Sequence, residues 1–93
     1  MNTENIIKAI NNLRERLTKQ RNGNFIFTGS AKCDGREVEL YLYSKKDTKK
    51  IETLEFYEFT DEPTGGKMPC FRGSLASTNF TAEELAYIIT KTL

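Results

Sequence analysis

Asp34-Gly35 is the feature that most constrains this chain. An Asp-Gly pair between two runs of alternating apolar and polar residues is a strong hairpin signal. A two-residue turn that matches strand twist needs positive φ at both central positions. After the pair, Arg36 to Ser44 alternates without a break: Val38, Leu40 and Leu42 fall on one face, Glu37, Glu39, Tyr41 and Tyr43 on the other. Before it, Asn24 to Lys32 places Phe25 and Phe27 on one face and Ile26 and Thr28 on the other, and Gly29 marks a bulge or a close approach. These runs predict an antiparallel sheet built around the hairpin, with one face turned in and the other out.

The flanks supply the cover. Ile6, Ile10, Leu13 and Leu17 recur at helical spacing with Ile7 beside them, which predicts a helix over residues 3–21. Asn2 or Thr3 can cap its start, Lys19 and Arg21 suit its last turn, and Gly23 can stop it. Ile51 to Thr60 reads as a third strand with mixed alternation: Leu54 and Phe56 share one face, Tyr57 and Phe59 the other. A bulge, or contacts on both faces, would account for it. A fourth strand is expected around Lys67 to Leu75, at an edge because of Pro69. Thr81 to Glu84 is a capping box, with Phe80 and Leu85 placed as its hydrophobic staple and Leu85, Ile88, Ile89 and Leu93 as the apolar stripe of the last helix. The order is α-β-β-β-(β)-α. This is a single α+β domain over residues 1–93: an antiparallel meander of three to four strands, with an N-terminal and a C-terminal helix on one face, in two layers.

The chemistry available is narrow. A chain of 93 residues has room for one core and little for a deep site as well. It contains no histidine, which removes the commonest general base and metal ligand. Cys33 and Cys70 lack the paired spacing of a zinc set and are expected to be reduced thiols. DEPTGGKMPCFRG, Asp61 to Gly73, suggests a phosphate loop, but its lysine is followed by Met68 and Pro69 and no helical pattern comes next. Turn chemistry throughout makes it an exposed hairpin arm instead. The expectation is a non-enzymatic protein with no cofactor and no metal. No apolar run approaches the ~20 residues of a membrane span, and no export signal is seen, so the expected location is cytoplasmic.

Charge is unevenly spread. The net charge is +1, yet residues 1–21 carry five basic and two acidic groups, and residues 37–62 carry four and eight. The acidic strands bear tyrosines, which suit interfaces because they are large, semi-rigid and amphipathic. The candidate binding surface for a basic protein partner is therefore Glu37, Glu39, Tyr41, Tyr43, Glu55, Tyr57 and Glu58. The hairpin arm, with Asp61, Glu62, Lys67 and Arg72, is a second contact. The alternative is a small nucleic-acid-binding domain using Lys8, Arg14, Arg16, Lys19 and Arg21 with the Lys45 to Lys50 turn. The helix–strand order is similar to that of double-stranded-RNA-binding domains, but their second helix opens with lysines, whereas TAEELAYIITKTL opens with two glutamates.

In size, helix-plus-meander order and the acidic strands REVELYLY and KIETLEFYEF, the chain resembles small phage anti-CRISPR inhibitor proteins. The resemblance covers the whole chain as architecture and charge. It implies a phage or mobile-element inhibitor that covers a basic surface of a nucleic-acid-handling host protein.

Overall fold

The structure, a computed structural model, describes residues 3–20, 24–45 and 51–93. Asn2, Arg21, Gly23 and the lysines after Lys45 lie outside the described residues. The elements are α1 (Glu4–Thr18), β1 (Asn24–Cys33), β2 (Arg36–Lys45), β3 (Ile51–Asp61), β4 (Lys67–Ala76) and α2 (Ala82–Thr92). The four strands form one antiparallel sheet in chain order, so β1 and β4 are its edges. Strands of ten or eleven residues are about 33 Å long. They stretch the molecule to 44 Å and its radius of gyration to 13.6 Å, above the ~12 Å of a rounder chain this size.

The β1–β2 turn is as expected: Asp34 has φ 52° and Gly35 φ 79°. Ten residue pairs follow without a slip, from Cys33 opposite Arg36 to Asn24 opposite Lys45. One sheet face meets the helices. There Val38, Leu40, Leu42, Leu54 and Phe56 are buried against Ile6, Ile10, Leu13 and Leu17 of α1 and Ala82, Leu85, Ala86 and Ile89 of α2. Each valine, leucine, isoleucine or phenylalanine buried there contributes about 1.5–3 kcal/mol. α1 packs chiefly on β1, where a methyl group on Gly29 would lie 3.5 Å from Leu13.

The two helices differ at their ends. α1 ends at Thr18, with Lys19 as its C-cap rather than in its last turn, and Thr3 holds the N-cap position without a side-chain cap bond. α2 has the full capping box: the Glu84 N–H donates to Thr81 Oγ1 at 3.1 Å and the Thr81 N–H to Glu84 Oε1 at 2.9 Å. Its buried stripe runs through Ala82 and Ala86 rather than Ile88, which is half-buried, and Phe80 lies at the surface.

The irregularity expected of the third strand belongs to its neighbour. β3 itself alternates regularly, and the irregularity lies opposite it: Phe56 pairs with Gly73 but Tyr57 pairs with Phe71, leaving Arg72 as an extra residue in β4. The helix side of β3 then reads Glu52, Leu54, Phe56, Glu58, and both glutamates are buried with arginine partners. Arg14 donates Nη2 to Glu52 Oε2 at 2.8 Å and to the Ser77 carbonyl at 2.8 Å, and the Ser77 hydroxyl donates to the same carboxylate at 2.7 Å. Arg36 grips Glu58 with two bonds of 2.6 Å, Arg72 adds one of 3.1 Å, and Arg36 Nη1 reaches the Leu93 carbonyl at the end of α2.

Candidate functional site: the open face of the sheet

The sheet face away from the helices carries the other parity of every strand. β2 contributes Glu37, Glu39, Tyr41 and Tyr43. β3 contributes Thr53, Glu55, Tyr57 and Phe59. β1 adds Ile26, Thr28, Ser30 and Lys32, and β4 adds Phe71 and Pro69. Six of the seven predicted sheet-face residues are thus brought together.

Glu58 is the exception and is corrected here. It shares parity with Leu54 and Phe56, faces the helices, and is 7 % exposed. Arg36 first, with Arg72 adding, holds its carboxyl below the usual carboxylate range against the opposing effect of burial. Arg72 is corrected with it. The bulge turns its side chain to Glu58 rather than outward from the arm. Asp61, Glu62 and Lys67 do lie at the β3–β4 turn, which is closed by Glu62 N–H to the Gly66 carbonyl and Gly65 N–H to the Glu62 carbonyl. β3 pairs with β2 only as far as Phe59, so Thr60, Asp61 and the turn run beyond β2. Lys67 leans back over the face, with Nζ 3.9 Å from Glu37.

At the centre, Glu39 lies opposite Tyr57 and Tyr41 opposite Glu55. Each tyrosine hydroxyl donates to the glutamate two residues before it: Tyr41 to Glu39 Oε1 and Tyr57 to Glu55 Oε1, both at 2.7 Å. The two Glu-x-Tyr units run antiparallel and related by a local two-fold. Their rings meet edge to face at 5.3 Å, and Phe71 continues the row against Tyr57 at 5.4 Å. The carboxylates favour the protonated phenols. The Tyr41 hydroxyl is raised above its ordinary value chiefly by Glu39, and Tyr57 is pushed up to about 12 chiefly by Glu55. Tyr43 is raised by burial and then by Glu55.

Among the described residues, Glu39 and Glu55 have no cationic partner. Each accepts a hydrogen bond from a phenol beside an aromatic surface, and Tyr43 adds a second phenol at Glu55. Such a unit can take a guanidinium or an ammonium group, by charge-assisted hydrogen bonds and by stacking on the ring. Phe71, 57 % exposed, was not predicted from the sequence. Strict alternation back from Leu75 would have put it on the helix side, and only the bulge at Arg72 brings it out.

On the predicted basic helix three cations have partners within the fold. Arg14 is held by Glu52, Arg16 lies over the Phe27 ring at 4.9 Å, and Lys19 pairs with Glu15 at 3.5 Å. Cys33 is buried and Cys70 half-buried beside the Thr60 hydroxyl at 3.1 Å, and they form no disulfide. No helix among the described residues is long and apolar enough to cross a membrane. Comparison of the chain with known protein families, with curated proteins and with solved structures finds no match.

Proposed function

We propose that the protein is a non-enzymatic binding module that docks a basic protein surface on the open face of its sheet, through Glu39, Tyr41, Glu55, Tyr57 and Phe71. The observation that carries this reading is the pair of carboxylates without cationic partners among the described residues, each fixed by a tyrosine hydroxyl within one aromatic row. Of the other acidic groups on strands, Glu52 and Glu58 are neutralised inside the fold, Glu37 lies 3.9 Å from Lys67 and Asp61 sits at the β3–β4 turn, so Glu39 and Glu55 are the carboxylates offered at the centre of the open face. A partner presenting arginines would exchange them for water at Glu39 and Glu55 while its apolar surface covers Phe71 and the tyrosines. Occlusion of this kind suits an inhibitor of a nucleic-acid-handling protein, whose working surface is basic.

The test is an NMR titration with an oligo-arginine peptide in one arm and a short DNA duplex in the other. The expected result is peptide-induced shifts at Glu39, Tyr41, Glu55, Tyr57 and Phe71, weakened by salt and lost in the Glu39→Gln/Glu55→Gln double variant. Shifts on α1 with DNA, and none on the sheet with peptide, would replace this reading with the nucleic-acid one.

A further inference from the structure

The two edges of the sheet are not alike. β4 carries Pro69, which has no N–H to offer, and the bulge at Arg72; both devices discourage pairing with another strand. β1 has neither. The two-residue turn makes Cys33 and Arg36 a hydrogen-bonded pair, so the odd residues of β1 bond to β2 and the even ones point their N–H and C=O groups away from the sheet. Lys32 confirms the parity: its carbonyl is taken by the side chain of Asn5, which donates from α1 at 3.0 Å. Beyond that point the N–H and C=O groups of Ile26, Thr28 and Ser30 have no hydrogen-bond partner among the described residues. Ile26 at this edge is 63 % exposed.

We propose that this edge pairs with the β1 edge of a second copy, antiparallel about a two-fold axis through Thr28. The three N–H and three C=O groups of Ile26, Thr28 and Ser30 in each copy then find partners in the other. β1 is self-complementary in this register. On the helix side Phe27 lies opposite Gly29 of the second copy and Phe25 opposite its Ala31, large against small. The same device operates within the chain, where Phe56 lies across from Gly73. On the open side Ile26 meets Ser30 and Thr28 meets Thr28, a favoured cross-strand pair, and no like charges face each other.

α1 packs chiefly on β1, so in the pair the two copies of α1 come side by side. Asn5 sits at Lys32, Leu13 at Gly29 and Arg16 at Phe27, so the axis through Thr28 passes between Asn12 and Arg16. Each Arg16 then faces the other copy's Asn12, and α1 runs antiparallel to its counterpart with Ala9 and Asn12 as the small residues of the contact side. The product is one continuous eight-stranded sheet with all four helices on one face and two copies of the Glu-x-Tyr surface on the other.

The test is sedimentation velocity of the full chain over a concentration series, with two variants. Thr28→Pro deletes an outward N–H without touching the β1–β2 ladder; Thr28→Lys sets two like charges face to face at the axis. The expected result is a dimer for the wild type and a dimer Kd raised by more than about tenfold in both variants, with circular dichroism unchanged. Should the proline variant fail to fold, the lysine variant decides. A wild type that stays monomeric throughout the series, or a dimer that survives Thr28→Lys, overturns the proposal. The Glu39→Gln/Glu55→Gln variant keeps the dimer, which separates this surface from the docking face.

Discussion

Replacing Gly73 by alanine should destabilise this protein, although in a strand the same change commonly does the reverse. Glycine gives up more conformational freedom on folding than alanine, so Gly→Ala at a permissive site gains about 0.4–1 kcal/mol. Gly73 does not need a left-handed backbone. It needs the absence of a side chain. A methyl group there would stand 2.7 Å from Cζ of Phe56 and 3.0 Å from its Cε1. Phe56 is 1 % exposed in the middle of the core. Forcing extra atoms into a filled core costs about 1–3 kcal/mol, which outweighs the entropic gain. In a domain of this size the melting temperature should fall by about 4–8 °C for each kcal/mol. Gly29→Ala is the control. Its methyl would meet Leu13 at an ordinary 3.5 Å, and the expected change is a gain of about 0.4–1 kcal/mol. Urea unfolding monitored by circular dichroism gives both values. A double cycle with Phe56→Leu should show strong coupling for Gly73 and additivity for Gly29. If Gly73→Ala is as well tolerated as Gly29→Ala, the packing argument for this strand pair fails.

Two predictions concern titration. Glu58 has its folded pKa lowered from 4.5 by Arg36 and then Arg72, so its contribution is fully present above the ordinary value and is lost as pH falls through the lowered one. The unfolding free energy should decline with pH below about 4.5 on this account; Glu58→Gln should flatten that decline, and an unaltered slope would remove the linkage. Tyr57 has its folded pKa raised to about 12, so the contribution of its bond to Glu55 persists below the unfolded value and disappears as pH rises through the folded one. Alkaline titration of phenolate absorbance should lose its highest-pH step in Tyr57→Phe, and persistence of that step would assign it to another tyrosine.

Most of the architecture could be read from short-range patterns. The Asp34-Gly35 turn, the alternation after it, the period of α1 and the capping box at Thr81 each depend on a few neighbouring residues, and each element forms where those signals lie. The open face followed from the same alternation, including Glu39, Tyr41, Glu55 and Tyr57. Glu58 was misplaced on composition, although its parity with Leu54 and Phe56 pointed inward. A carboxylate can occupy that position only because Arg36 and Arg72, distant in sequence, meet it there. The bulge at Arg72 left no comparable local mark. It arises from the fit of β4 onto β3, and with it went the exposure of Phe71 and the inward turn of Arg72.

The pleat also separates what selection can alter from what it must keep. Along β2 and β3 one parity, Val38, Leu40, Leu42, Leu54, Phe56 and Glu58, touches both helices and the polar clusters that fasten them. The other parity, Glu39, Tyr41, Glu55 and Tyr57, makes its side-chain contacts on the open face, with itself, Tyr43 and Phe71. Exchanges in the second set forfeit only hydrogen bonds and ring contacts of the open face, about 0.5–1.5 kcal/mol each, while changing what the surface can hold. A lineage carrying this domain can therefore revise its open face one alternate residue at a time while the helix-facing core stays in place.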